Sequence, residues 1–420
     1  MKKIYWVRHA ESCSNSVIDM GSKWQTDIKK SSYMYLHPSL SELGIEQAIL
    51  LGKNYINKNS PGAFTKGYSS PLARTIMTAL LSMRTYSLYN PEFIIELNPY
   101  ISEKVTKLGL LDYANKIMSP RKIKLMINII KDWLANYWLI EYTDVEFFDI
   151  LKTLESNLEH NTNITKFIQE YQLMKDDSTL IPEKINEIME KYIKTLTLDP
   201  THEVFKFFNK DFLSGPKISL KNYKIDTYKK IFEPDFYIKK EDGFFPNYSI
   251  FKQQVEHEDN IICFSHGNIL ADMIGPDKID KILNILFVKA DKKMLKNTSV
   301  FIECSDETLI EQYPVNDDKI FFEEFRDVYK TNKNVYINKC FDGNTLNNLI
   351  SKIAFYSDEI IDNIFYIDTT STIGKIFEKY NSLDKMTKFL TSSDEENEIK
   401  KKYLKYKQKY LLLKNKLKPI

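Results

Sequence analysis

Two ionisable side chains, Arg8 and His9, stand together near the start of the chain. They directly follow the apolar segment 4–7, which predicts a short buried β-strand. A neutral imidazole is a nucleophile and a base near neutral pH, and a guanidinium grips oxyanions through two parallel N–H groups. The pair could therefore act on an anionic group, although a single histidine after a strand is more often a structural hydrogen-bonding residue.

Arg74, Glu103 and His266 each follow the end of another predicted strand within a few residues. In an open parallel sheet the carboxyl ends of the strands share one edge, and ligands bind at that edge. If the sheet forms, two arginines, two histidines and a glutamate converge there. The prediction rests on this joint placement, because each residue alone has an ordinary structural explanation.

The surroundings of Arg74 favour an anion independently. Ser70 is a suitable N-cap and Pro71 a suitable first helical residue, which would place Arg74 in or near the opening turn. A cation there opposes the helix dipole, and long helical side chains point back toward the N-terminus. An anion held between Arg74 and the free N–H groups would resolve the conflict. The alternative is an arginine that turns to solvent or pairs with a nearby acid.

The elements that must position these residues alternate between strands and helices. Strand patterns over residues 4–7, 65–69 and 92–97 are separated by helical patterns over 37–56 and 70–83, and Ser41 is placed to cap the first helix. The alternation returns at 260–275 and 297–304. It predicts an α/β fold, a three-layer sandwich with a mostly parallel central sheet flanked by helices.

The sequence pattern divides the chain into four predicted regions. Residues 1–104 and 256–309 form the α/β core, and 105–255 form a mainly helical insertion that caps it. Residues 310–390 form a C-terminal extension whose fold the pattern does not fix. Residues 391–420 form a basic helical tail, with apolar and aromatic residues at heptad spacing over 399–417. This tail could self-associate, contact a polyanion or a membrane surface, or be a solvated helix.

The composition of the chain bears on its binding partners, its compartment and its need for a metal. The 420 residues carry a formal net charge of +2, which gives no global field toward nucleic acid or membranes. The four cysteines are scattered without a CxxC pair, which favours free thiols in a reducing, cytoplasmic compartment. No run of 18 apolar residues predicts a membrane span. No cluster of metal-ligand type stands out, so we expect no metal or cofactor.

Six segments, in order, resemble the histidine phosphatase superfamily with the phosphoglycerate-mutase-like fold. They are VRHAES near the start, LSELGIEQA (40–48), SSPLARTIMTA (69–79), NPYISE (98–103), FSHGNIL (264–270) and KNTSV (296–300). Ala10 stands where the superfamily more often has glycine. The resemblance covers about residues 1–104 and 256–305.

The resemblance implies roles for six residues. His9 would attack phosphorus and form a phosphohistidine, and Glu103 would be the general acid and then the general base. The phosphoryl oxygens would be held by Arg8, Asn15, Arg74 and His266. The family chemistry needs no metal.

The residues after Glu103 bear on the reaction type. Cofactor-dependent mutases of this family carry a Glu-Arg pair and then a tyrosine, whereas here Lys104 and Val105 follow. This favours a phosphomonoester hydrolase acting on a phosphorylated small molecule or a phosphoprotein over a phosphoglycerate mutase. The alternative is an inactive module of the same fold that binds a phospho-ligand or a protein.

The tail bears on the origin of the chain. Its Lys/Tyr-rich sequence resembles a C-terminal element of proteins from giant DNA viruses. This would place the protein in the host cytoplasm or the virion.

Overall fold

The computed structural model describes residues 3–19, 36–57, 64–90, 92–105, 115, 117–140, 214–241, 243–275, 286–289, 292–304, 308–310, 340, 346–355 and 358. The strands in this part of the chain are β1 (Lys3–Arg8), β2 (Lys66–Ser69), β3 (Ile94–Leu97), β4 (Lys217–Ser219), β5 (Tyr237–Lys240), β6 (Gly243–Pro246), β7 (Ile261–Ser265), β8 (Leu286–Lys289), β9 (Lys292–Leu295), β10 (Val300–Cys304) and β11 (Thr308–Ile310). The helices are α1 (Cys13–Asp19), α2 (Glu42–Leu50), α3 (Ala73–Ser82), α4 (Arg84–Tyr89), α5 (Pro120–Ile140), α6 (Ile225–Lys230), α7 (Tyr248–Gln254), α8 (Gly267–Ile274) and α9 (Leu346–Phe355). A π-helix, Leu51–Ile56, continues α2, and 3-10 turns span Pro99–Ile101 and Pro234–Phe236.

A seven-stranded sheet in the order β11-β10-β1-β7-β2-β3-β4 forms the centre of the fold. The five strands from β1 to β4 in this order pair in parallel, whereas β10 and β11 are antiparallel. Parallel strands covered on both faces are apolar throughout, as in β7, where every residue is buried. The predicted α/β class with a mostly parallel sheet flanked by helices is confirmed.

The edge with the carboxyl ends of β1, β2, β3 and β7 holds the predicted site. Strands β1 and β7 end in register, because Arg8 pairs with Ser265. Beyond β2, the N–H of Ser70 donates to the carbonyl of Phe264 at 3.0 Å, and the N–H of Asn98 donates to that of Ser69 at 2.9 Å. The four strand ends are thus hydrogen-bonded to one another, which brings their polar residues together.

Two helix starts test the capping predictions. The Ser41 hydroxyl accepts the N–H of Gly44 at 3.1 Å, so the predicted cap of α2 is confirmed. The predicted cap of α3 is wrong: that helix begins at Ala73, and extended Leu72 holds the N-cap position. Ser70 remains bonded to the sheet, and its hydroxyl contacts His266, a tertiary partner that local spacing cannot reveal.

Part of the predicted insertion joins the sheet. Strand β4 pairs with β3, and the β5–β6 hairpin contacts the loop after Glu103 through reciprocal bonds between Val105 and Phe244. The expectation of a mainly helical segment is therefore incomplete for residues 214–255. Residues 141–213 lie outside the described residues, and the four domain boundaries stay predictions.

The described part of the C-terminal extension contacts both the predicted insertion and the predicted core. Helix α9 contacts α5, and a disulfide joins Cys340 to Cys13 at the start of α1. The prediction of four free thiols is wrong for this pair, because residues separated by 327 positions gave no spacing signal. Cys263 and Cys304 are free thiols.

The tail, 391–420, lies outside the described residues, so its helix and its contacts stay predictions. No described helix is both long and apolar enough to span a bilayer.

Candidate active site

His9 lies at the centre of the carboxyl edge of the sheet. Its backbone N–H donates to the carbonyl of Ser265 at 3.0 Å, and its side chain is buried. Nδ1 lies 2.7 Å from the carbonyl oxygen of Ala10. A carbonyl only accepts, so Nδ1 carries the proton, and Nε2 of the neutral ring holds the lone pair. The Nε of Arg74 donates to that Nε2 at 3.3 Å, which agrees with the same tautomer.

The environment of His9 keeps the imidazole neutral. Burial lowers its pKa well below the usual 6.5, and the charges of Arg74 and Arg8 lower it further. The bond to Ala10 opposes these effects. A neutral ring with a defined lone pair is the form required of a nucleophile.

Two buried guanidinium groups flank His9. Arg8 is 3% exposed and Arg74 is 4% exposed, so the alternative in which Arg74 turns to solvent is wrong. Arg74 lies in the first turn of α3, and its Nη2 donates to Oδ1 of Asn115 at 2.6 Å. Two buried guanidinium groups beside a neutral imidazole are suited to binding an anion.

The closing motif KNTSV fixes the backbone of Arg8. The N–H of Arg8 donates to the carbonyl of Ser299 at 3.0 Å, and the N–H of Thr298 donates to the carbonyl of Arg8 at 3.2 Å. Thr298 has φ 59°, in the left-handed region that a β-branched residue rarely adopts. Such strain persists where the surrounding structure over-determines it, as it does around a functional side chain.

Gly267 allows Arg8 to approach α8. A Cβ at this position would lie 2.9 Å from Nε of Arg8 and 3.2 Å from its Cζ. The guanidinium therefore lies against the N-terminal turn of α8. This contact explains why a glycine follows His266.

His266 lies opposite His9, with 5.1 Å between the ring centroids. It is fully buried at the N-cap position of α8, and its Nε2 is 2.8 Å from the Ser70 hydroxyl. Its Nδ1 lies 3.9 Å from Oε2 of Glu103 and has no hydrogen-bond partner among the described residues. Burial first, and then Arg74 and His9, lower the pKa of His266 well below 6.5.

Glu103 supplies a carboxyl group beside His266. Its Oε1 accepts the N–H of Lys104 at 3.0 Å and the side-chain amide of Asn268 at 3.1 Å. Burial raises the pKa of this carboxyl above 4.5, and the charge of Arg74 and the two hydrogen bonds oppose the rise. The carboxyl therefore keeps its proton to a higher pH than an exposed glutamate.

Asn15 differs from the other predicted site residues. It lies in the first turn of α1, where its Oδ1 accepts from the backbone N–H of Ser12 at 3.2 Å and from the Ser12 hydroxyl at 2.9 Å. The structure therefore brings together Arg8, His9, Arg74, Glu103 and His266, and it fixes the carbonyl oxygen of Asn15 elsewhere. A phosphate contact by Asn15 stays a prediction.

The other motifs hold the loop after His9. The N–H of Ala10 donates to the Thr78 hydroxyl at 3.0 Å, and the N–H of Glu11 donates to Oε1 of Gln47 at 2.8 Å. A Cβ on Gly44 would lie 1.9 Å from the carbonyl oxygen of Glu11, so only glycine permits this approach. The segments 40–48 and 69–79 thus contact the loop after His9 directly.

Four residues near the site were not predicted to belong to it: His37, Ser70, Asn115 and Asn268. Asn268 lies inside a motif that was recognised, and Ser70 was assigned a capping role, so both carried a usable signal. His37 and Asn115 lie outside any chemical pattern and could be found only in three dimensions. Within the described ranges, no group of three or more His, Cys, Asp or Glu side chains could hold a metal ion.

Comparisons with known proteins give distant likenesses. No family model matches the chain. The chain is 30% identical over 196 residues to the uncharacterized protein R658 of Acanthamoeba polyphaga mimivirus, and the match covers 38% of this chain and 34% of that protein. The chain therefore spans about a third of the length of this relative.

Two solved structures are similar at low TM-score. Mycobacterial hydrolase 1 has a TM-score of 0.25 and 11% identity, covering 72% of this chain and 88% of its own. The ecdysone phosphate phosphatase EPPase from Bombix mori, in complex with tungstate, has a TM-score of 0.32 and 12% identity, covering 75% and 93%. Neither likeness is close enough to transfer an activity to this chain.

Proposed function

We propose that the chain is a phosphomonoester hydrolase of the histidine phosphatase type, with a phosphohistidine intermediate on His9. The observation that carries the proposal is the hydrogen bonding of His9. Nδ1 donates to Ala10, and Nε2 holds a lone pair within 3.3 Å of a buried guanidinium nitrogen of Arg74. A nucleophilic nitrogen beside a buried cation matches the needs of phosphoryl transfer.

In the first step, Nε2 of His9 attacks phosphorus and the bond to the leaving oxygen breaks. Glu103, whose pKa is raised by burial, gives a proton to that oxygen when it is in the acid form. The product is a neutral alcohol and a phosphohistidine, whose positive ring is stabilised by the Nδ1–H bond to Ala10. In the second step, water attacks phosphorus, the Glu103 carboxylate takes its proton, and the N–P bond breaks to release phosphate and neutral His9.

The charge that develops on the phosphoryl oxygens needs fixed donors. Arg8 and Arg74 are buried cations around His9. The backbone of Arg8 is bonded to Ser299 and Thr298, and Arg74 lies in the first turn of α3. His266 adds a fully buried ring whose Nδ1 has no hydrogen-bond partner among the described residues. Preorganised donors in a dry site stabilise the transition state strongly. The side-chain amide of Asn15 is a further candidate donor.

The substrate class and the origin of the chain are inferred from its sequence and from its mimivirus relative. The site suits a phosphorylated small molecule or a phosphoprotein, and the absence of a Glu-Arg pair at positions 103–104 disfavours a mutase. The mimivirus relative and the basic tail support an origin in a giant DNA virus, which would place the protein in the host cytoplasm or the virion. Self-association or polyanion contact through residues 399–420 belongs to the same proposal.

The test is hydrolysis of p-nitrophenyl phosphate by the full chain in a chelator, at acid and neutral pH, together with acid-quenched trapping of labelled phosphoenzyme. We expect turnover and a label that is lost in His9→Ala. A chain that binds inorganic phosphate but neither turns over nor becomes labelled would instead be the phospho-ligand-binding module. Turnover retained in His9→Ala would rule out His9 as the nucleophile.

A further inference from the structure

The N-terminus of α3 is capped by a residue from a distant segment. The N-cap residue, Leu72, makes no side-chain cap bond. Instead, the N–H of Ala73 donates to Nε2 of His37 at 2.9 Å. The imidazole must hold a lone pair at Nε2 to accept this bond. One of the free N–H groups of α3 is thereby satisfied, at the residue directly before Arg74.

The backbone of His37 is held in an unusual conformation. His37 is fully buried and has φ 53°, in the left-handed region that non-glycine residues seldom adopt. A strained residue of this kind persists only when its neighbours fix it. The strain marks His37 as a residue whose orientation is imposed by the structure around it.

The neighbours that fix His37 belong largely to the C-terminal extension. The hydroxyl of Ser351 in α9 donates to the carbonyl of Leu36 at 2.7 Å, and Oδ1 of Asn347 accepts the N–H of Ser39 at 2.9 Å. The two bonds lie on either side of His37. The N–H of Cys13 also donates to the carbonyl of Ser39 at 3.0 Å.

We propose that His37 is a positioning residue for Arg74 and that helix α9 holds it in place for that role. The proposal rests on the proposed function, in which Arg74 binds the phosphoryl oxygens. The bond from Ala73 keeps the first turn of α3 formed, so the guanidinium does not have to be ordered when substrate binds. The extension, which lies outside the family resemblance, thereby becomes a working part of the catalytic unit.

A matched pair of substitutions isolates the bond. His37→Gln can place an acceptor oxygen near the position of Nε2, whereas His37→Phe keeps a planar ring and removes the acceptor. Both side chains meet the same left-handed strain, so the pair differs mainly in the hydrogen bond. We expect His37→Phe to lower kcat/KM about fivefold to tenfold, mainly through KM, and to weaken inhibition by inorganic phosphate equally, as one lost hydrogen bond predicts. His37→Gln should stay within about threefold of the wild type.

Amide hydrogen exchange gives a second readout that needs no activity. The Ala73 amide should exchange faster in His37→Phe and keep its protection in His37→Gln. Asn347→Leu, which removes the acceptor for Ser39, should act in the same direction as His37→Phe, and Asn347→Asp should not.

The outcomes separate the two proposals. Equal losses in His37→Phe and His37→Gln, or unchanged phosphate affinity and unchanged Ala73 exchange in His37→Phe, would overturn the positioning role. Turnover that survives His9→Ala would defeat the proposed mechanism, and the exchange and phosphate-binding results would still decide the role of His37.

Discussion

Nε of Arg74 lies 3.3 Å from Nε2 of His9, the one ring nitrogen that does not face the Ala10 carbonyl. The contact places a cation where an entering phosphoryl group would have to lie. A phosphate between the two side chains would exchange this bond for stronger charge-assisted bonds from the guanidinium to its oxygens. The guanidinium of Arg74 therefore lies where it could bind a phosphoryl group that approaches Nε2 of His9.

The pH dependence should reflect two groups with shifted pKa values. His9 must be neutral, and its pKa lies below 6.5 because of burial and the nearby arginines. Glu103 must be protonated, and its pKa lies above 4.5 because of burial. We expect a bell-shaped kcat/KM profile for an alkyl phosphate, whose leaving oxygen needs the Glu103 proton, with the rising limb below pH 6.5 and the falling limb above pH 4.5. A profile that rises steadily from pH 4 to 9 would contradict these protonation states.

Glu103→Gln should remove the proton transfer while leaving the shape of the site. The loss in kcat should be about 10²–10⁴-fold for alkyl phosphates, whose poor leaving groups need a proton. The loss should be much smaller for p-nitrophenyl phosphate in the labelling step, since nitrophenolate leaves unaided. The falling limb of the pH profile should also disappear. Leaving-group dependence measured by rapid quench provides the check, and an equal loss for both substrates would assign Glu103 a structural role.

Gly267→Ala should misplace Arg8. The added Cβ would lie 2.9 Å from Nε of Arg8, tighter than real contacts allow, so the guanidinium has to move. We expect kcat/KM to fall by about 10-fold to 100-fold, since small displacements at a phosphoryl-transfer site are costly. The melting temperature should change little, because alanine favours a helix over glycine. The control is Ala271→Ser, on the partly exposed side of the same helix. Unchanged kinetics in Gly267→Ala would show that the site tolerates the displacement of Arg8.

The sequence predicted the convergence of five polar residues at one edge of the sheet better than it predicted the contacts that hold them. Arg8, His9, Arg74, Glu103 and His266 converge as expected, because the alternation of strands and helices fixes where parallel strands end. The start of α3 could not be placed, because Ser70 has a tertiary partner instead of capping the helix.

The contacts that hold the site residues in place could not be predicted for the same reason. The bond between Ala73 and His37, the contacts of α9 and the pairing of Cys13 with Cys340 all join segments far apart in sequence. None of these pairs has a local spacing rule, so a single sequence holds no signal for them. The strand β4 was missed for a related reason, since three half-exposed residues make too short a pattern.

The disulfide between Cys13 and Cys340 should stabilise the core measurably. It closes a loop of 327 positions and joins Cys340 of the extension to the helix that follows His9. Removing a cross-link of this kind typically costs about 2–4 kcal/mol in the free energy of unfolding. We therefore expect Cys340→Ser to melt at a lower temperature than the wild type, and dithiothreitol to lower the melting temperature of the wild type to that of the variant.

Cys304→Ser is the matched control, because Cys304 is a free thiol and should leave the response to reductant unchanged. Thiol titration of the unfolded, unreduced chain should detect two of the four cysteines, and all four after reduction. Four titratable thiols before reduction, in protein purified without reductant, would mean that the pair does not form. In that case α9 would be held only by its hydrogen bonds and packing, and Asn347→Leu should then loosen the extension far more than it does in the cross-linked protein.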